Sequence, residues 1–157
     1  MTVRDLLDRV AETFAVHPRP LVFTNTDHCS ECAEHNQTLA GLQPESLQHE
    51  DVGQPGWDPF TFATPEAYLY FFPGLARLAA TGSGASFYLD RFAGQLHNRV
   101  DLLTLEERQL ALDLLWRAYS GLQDSPDLHE QAVHDIDSCL RQLERSLKSV
   151  AGDSASS

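Results

Sequence analysis

Apolar residues recur along this chain at steps of three and four rather than two, and that spacing predicts helices. Val3, Leu6, Leu7, Val10 and Phe14 share one helical face, and Thr2 with Asp5 forms a capping-box start, so a helix is predicted over Val3 to Ala15. His17-Pro18-Arg19-Pro20 ends it, because proline cannot continue a helix from behind. Leu21-Val22-Phe23 then reads as a short β-type run. The cap-forming residues Thr24 to Asp27 lead into a second helix, from His28 to about Leu42, closed by Gly41 and Pro44. Gln43 to Phe62 reads as a long connection broken by Gly53, Pro55, Gly56 and Pro59.

Thr64-Pro65-Glu66 is a helix start with an N-cap threonine and proline in the first turn. Pro73 is expected to break or kink this helix, leaving a second piece through Leu75 and Leu78 to Gly82. After the Thr81-Gly82-Ser83-Gly84 turn a helix is predicted from about Ala85 to His97. Thr104 to Glu107 opens another, running to about Gly121 with Leu112, Leu115, Trp116 and Tyr119 inward. Ser125-Pro126-Asp127 should open the last helix, where Val133, Ile136, Leu140, Leu143, Leu147 and Val150 form a short a/d seam. That seam either covers the domain's own core or pairs with another protein or a second copy, and its shortness favours packing within the domain. The pattern as a whole predicts a mainly α fold. It is a single compact multi-helix domain over residues 1–150, with at most one short β-strand near 21–23. Residues 151–157 read as a disordered polar tail.

Composition narrows the function classes. The 157 residues suffice for one hydrophobic core, and a formal charge of −12 with no basic stripe argues against nucleic acid and anionic membrane surfaces. Charges interrupt Met1 to Phe14, so no signal-peptide h-region is read there, and no apolar stretch reaches bilayer length. The expected compartment is therefore the cytoplasm, where the three cysteines are read as thiols or metal ligands.

Candidate chemistry concentrates in His28-Cys29-Ser30-Glu31-Cys32-Ala33-Glu34-His35. Thiolates and imidazoles are zinc ligands, so His28, Cys29, Cys32 and His35 are candidate metal ligands. On a helix, His28 and His35 are separated by about 10 Å of rise, so both cannot easily reach one ion. Help from His49, His97 or Cys139 would then be required. A second reading is thiol redox chemistry, with Cys29 attacking and Cys32 resolving, because a helix N-terminus and a neighbouring histidine favour a thiolate. A third treats the cysteines as small buried hydrophobes. All three stay open on the sequence.

Pro55-Gly56-Trp57-Asp58-Pro59 offers Trp57 and Asp58 as a ligand-stacking and orienting pair. The plainer account is a turn in which Trp57 plugs the core edge and Asp58 caps the next segment. His49-Glu50-Asp51 is a weaker acid–base candidate. Neither a nucleophile elbow nor a dinucleotide fingerprint is present, so whether the chain is an enzyme stays undecided.

The His28-Cys29-x-Glu31-Cys32, Gly53-x-Pro55-Gly56-Trp57-Asp58-Pro59, Thr64-Pro65-Glu66-Ala67 and Pro73-x-Leu75-Ala76-Arg77-Leu78 motifs together resemble an uncharacterised bacterial domain-of-unknown-function family, over roughly Arg19 to Leu115. The resemblance implies a bacterial, cytosolic, stand-alone domain whose shared motif includes Cys29, Cys32 and Trp57, and it carries no activity. The leading expectation is a small non-enzymatic binding or interaction protein with zinc at Cys29 and Cys32. The alternative is a thiol-dependent redox protein.

Overall fold

The computed structural model describes residues 1–54 and 56–155. Seven α-helices appear among them: α1 (Val3–Phe14), α2 (Ser30–Ala40), α3 (His49–Val52), α4 (Pro65–Ala80), α5 (Ala85–His97), α6 (Leu105–Leu122) and α7 (Glu130–Ala155). Short 3-10 turns at Pro44–Ser46, Pro59–Phe62 and Val100–Leu102 fill the connections. The mainly α architecture is as the apolar spacing predicts. α1 starts on the Thr2–Asp5 capping box, with both reciprocal bonds made, and Thr64 and Thr104 cap α4 and α6.

α4 is the hub. It is apolar on most sides, burying Tyr68, Phe71, Phe72, Leu75 and Leu78 among others, so it needs cover over most of its surface. α1, α5, α6 and the Pro44–Ser46 turn provide it, while α7 lies across α5 and α6. Phe14 of α1 stacks on Phe72 at 4.3 Å between ring centroids, and Phe92 of α5 meets the same ring at 5.6 Å. α2 lies at the edge of this assembly and rests mainly on the Pro59–Phe62 turn.

Several expectations are corrected. No strand forms at 21–23; among the described residues the β-type contact is a single antiparallel bridge between Thr24 and Ala63. Leu21 and Val22 are exposed and only Phe23 turns inward, so there is no sheet face to propagate. Pro73 does not divide α4. Proline in a helix interior costs about 3 kcal/mol, and the buried side chains on both sides of Pro73 outweigh that. Trp116 faces solvent, because the buried stripe of α6 runs through Leu110, Ala111, Leu114, Leu115 and Ala118, and Tyr119 is half-buried at its margin. Ser125-Pro126-Asp127 is a turn, not the start of α7: Asp127 accepts from Ser86 Oγ at 2.8 Å, and the His129 ring takes the first-turn N–H of Ala132.

The seam of α7 is occupied by the chain itself. Ile136, Leu140 and Leu143 are fully buried, Leu147 packs on the core, and Val133 and Val150 are half-buried. α7 continues to Ala155, into the segment read as a tail, and Ser156 and Ser157 lie outside the described residues. No helix among the described residues is long and apolar enough to cross a membrane.

The close approach of α4 to the Pro44–Ser46 turn depends on Gly74. A β-carbon there would meet the Pro44 carbonyl and lie 2.7 Å from Leu47 Cδ1. Gly74→Ala is therefore expected to destabilise the protein by about 1–3 kcal/mol. Urea denaturation checks this; an unchanged midpoint would rule out the close contact.

Candidate functional site

Two tethers hold the segment before α2. Asn36 Oδ1 accepts from the backbone N–H groups of Phe23 (2.8 Å) and Thr24 (3.2 Å), and the buried Thr24 hydroxyl donates to the Cys32 carbonyl. The chain then turns through Asn25 to His28, where the His28 N–H donates to the Asn25 carbonyl at 3.2 Å. Thr24 to Asp27, expected to cap α2, instead form this approach, and the cap is Cys29 itself, with extended backbone. Its Sγ accepts from the Cys32 backbone N–H at 3.4 Å.

His28 consequently lies before the helix, which was expected to start at His28 and instead starts at Ser30. The turn brings it back over the first turn of α2, so that His28 Nδ1 is 3.5 Å from Cys32 Sγ. Cys29 Sγ and Cys32 Sγ are 3.4 Å apart as free thiols. One atom from each of His28, Cys29 and Cys32 lies within 4.8 Å of the others. Two soft sulfurs and an imidazole nitrogen at this spacing could bind a metal ion.

The two thiols differ in character. Cys29 is exposed, and its pKa is lowered from the usual thiol value to about 7. The main cause is the Cys32 N–H pointing at its sulfur, followed by hydrogen bonds from His28 and the Cys32 thiol. Cys32 is buried, and its pKa is raised, first by loss of solvation and then by its bond and charge interaction with Cys29. Cys29 is thus the thiolate of the pair near neutral pH, and Cys32 the retained thiol.

His35 is not part of the cluster. It sits almost a full turn further along α2, where its ring is buried against Trp57 (4.6 Å) and Phe62 (5.9 Å between centroids). Its Nε2 is 3.5 Å from Glu31 Oε1, but the geometry makes no hydrogen bond and leaves that nitrogen buried and unpartnered. None of His49, His97 and Cys139 joins the group either. His49 packs near Gly84 and Tyr88, and Cys139 is a core thiol whose pKa burial pushes up to about 12.

The Trp57–Asp58 pair separates into two roles. Trp57 is 51% exposed at the edge of the domain, and its inner face covers the buried His35. Asp58 is buried. It caps the Pro59–Phe62 turn through the Phe60 N–H at 2.9 Å, accepts from Gln95 Nε2 at 2.9 Å and lies 3.6 Å from Arg91 Nε. Burial raises its pKa despite those donors. Gly53, at φ 66°, makes the turn ahead of this loop in a conformation suited to glycine. Pro55 lies outside the described residues.

No family model, curated protein or solved structure matches the chain. The site must therefore be read from its own geometry. Thr24 and Asn36 are the supporting residues that sequence reasoning missed. Thr24 was absorbed into a run of cap-forming residues, and Asn36 had no signal beyond its place on the polar side of a helix.

Two measurements probe this arrangement. Alkylation of native, metal-free protein should modify Cys29 first, with a rate rising through a midpoint near pH 7, while Cys139 stays unreacted until unfolding. Peptide mapping with a pH midpoint near that of an ordinary thiol would contradict the geometry. Asp58→Ala should cost roughly 1.5–3 kcal/mol of stability, as for hydrogen bonds to a charged group. Equal stability with altered ligand binding would instead return Asp58 to a recognition role.

Proposed function

We propose that this protein binds a thiophilic divalent cation, of which zinc is the type case, through His28, Cys29 and Cys32. The observation that carries the reading is the convergence of the three donors. Zinc bonds of about 2.3 Å to sulfur and 2.0–2.1 Å to nitrogen, set tetrahedrally, hold donors ~3.4–3.8 Å apart. The Cys32–His28 separation of 3.5 Å matches the sulfur–nitrogen spacing, and the Cys29–Cys32 separation of 3.4 Å is short of the ~3.8 Å sulfur–sulfur spacing by an amount that exposed Cys29 can take up. The Cys29 pKa near 7 adds a sulfur that surrenders its proton readily, and ion binding would displace the proton held by Cys32.

Three protein donors leave the fourth tetrahedral position open. His28 and Cys29 are exposed, so that position faces solvent. An open site suits an exchangeable or ligand-accepting ion better than a closed structural one. The fold also has a core that owes nothing to the ion, since Cys32 is the site residue that is buried near it. A binding protein whose metal centre meets a partner or small ligand is the role that fits, in the cytosolic setting expected from composition. Thiol redox chemistry is the second reading, favoured by the asymmetry between the exposed, acidified Cys29 and the buried Cys32.

Tag-free protein should take up one equivalent of zinc, measured by elemental analysis and competition with a chromogenic chelator. Cys32→Ser and His28→Ala should each weaken binding by more than the roughly 10–100-fold typical of losing an outer partner. His35→Ala should leave affinity within that margin, because His35 lies outside the cluster, packed on Trp57 and Phe62. Affinity should fall as pH drops below 7, where Cys29 takes up its proton. Absence of zinc uptake, with fast Cys29 alkylation retained, would favour the redox reading.

A further inference from the structure

We infer that the His28–Cys29–Cys32 site is an oxidation-controlled metal site, in which closing a Cys29–Cys32 disulfide ejects the ion. The inference rests on the metal reading above and deepens it. Its geometric basis is that the sulfurs needed for chelation are the pair positioned for disulfide formation. They are 3.4 Å apart across one helical turn, and Cys29 Sγ is accessible while Cys32 Sγ is not. An external oxidant therefore meets Cys29 first, and the only thiol beside the product of that encounter is Cys32. Cys139 is buried in the core among Ile136, Leu140 and Leu143 and is not a member of the cluster.

The chemistry balances with a low-molecular-weight disulfide as oxidant. The Cys29 thiolate attacks one sulfur of the disulfide, forming a mixed disulfide and expelling one thiolate. The Cys32 thiolate then attacks Cys29 Sγ, forming the internal disulfide and expelling the second thiolate. Two protein thiolates lose two electrons, and the oxidant gains them as two thiolates. A disulfide sulfur is a far weaker ligand than a thiolate, so the cation is left with His28 as its one remaining donor from the cluster and dissociates. Reduction by a dithiol restores both thiolates and the site.

The surroundings suit a change confined to these atoms. Thr24 and Asn36 hold the backbone on either side through hydrogen bonds that do not involve the sulfurs. The Cys32 N–H points at Cys29 Sγ and is the main backbone donor to the pair. Disulfide closure draws the sulfurs together by about 1.4 Å, to the ~2.05 Å bond length. A shift of that size can be taken up at exposed Cys29 without repacking the core.

The test loads full-length protein with one equivalent of zinc and adds oxidised glutathione at neutral pH. Zinc release is followed with a chromogenic chelator, and the cysteine state by non-reducing peptide mass mapping. Zinc release should track formation of the Cys29–Cys32 disulfide one for one, and dithiothreitol followed by zinc should restore the loaded form. Cys139→Ser should behave like the parent. Cys32→Ser, titrated with oxidant in the absence of metal, should stop at a glutathione adduct on Cys29, which shows the order of attack even though this variant holds zinc poorly. Zinc that stays bound under oxidant, or leaves without the Cys29–Cys32 disulfide, overturns the switch and leaves the metal reading standing. Failure of the parent to take up zinc before any oxidant is added overturns both.

Discussion

The constraint on which the rest depends is that α4 is apolar around most of its circumference and must be covered on all but one narrow, half-buried stripe. Burying a phenylalanine or leucine contributes about 1.5–3 kcal/mol, and α4 buries several. Its neighbours are therefore spoken for: α1, α5, α6 and the Pro44–Ser46 turn are all engaged in covering it. Glu107 of α6 illustrates how far polar groups are accommodated around that core. It is buried, and its carboxyl group is partnered by His17 Nε2, just beyond α1, at 3.1 Å. α2 has a smaller share in this work, through Leu39. It stays at the margin, and its N-terminus remains open to solvent, which is what a site with exposed His28 and Cys29 requires.

Marginal position does not mean loose construction. The approach to α2 is held at Thr24 and Asn36, and the next turn of the helix is fixed by His35, which packs on Trp57 and Phe62. The loop carrying Trp57 is in turn anchored by Asp58 to Gln95 and Arg91 of α5. A continuous physical path thus runs from α5, through Asp58 and Trp57, to the helix that bears the cysteines. The two motifs that stand out in the sequence meet here, one supplying the sulfurs and the other the support.

How much of this was legible follows from which forces are local. Helix positions with strong periodicity and caps were readable, and Ala85–His97 lies where its spacing placed it. The Thr2–Asp5 box reads directly because both partners sit within one turn. Pro73 misled, because its local cost is opposed by burial of residues such as Phe72 and Leu75, whose neighbours are distant in sequence. Leu21-Val22-Phe23 misled in the opposite direction: β propensity without a partner strand yields only the Thr24–Ala63 bridge. Of the candidate ligands, Cys29 and Cys32 were legible from spacing alone. The division between His28 and His35 was not, because it depends on where α2 begins. Starting the helix one residue after Cys29 frees His28 to fold back, while His35 keeps the helical position that turns it inward.

That single boundary also decides the chemistry. Had the helix begun at His28, the Cys29 sulfur would have been one more side chain on the helix surface. As the cap, Cys29 instead receives an N–H that would otherwise go unpaired, and that bond favours its thiolate over its thiol. The same capping geometry sets Cys32 one turn on, buried and beside it. Metal chelation and disulfide closure then draw on the same electrons of the same two sulfurs. A site built this way could not do both at once, so on the proposed reading the oxidation state of its surroundings would set the choice between them.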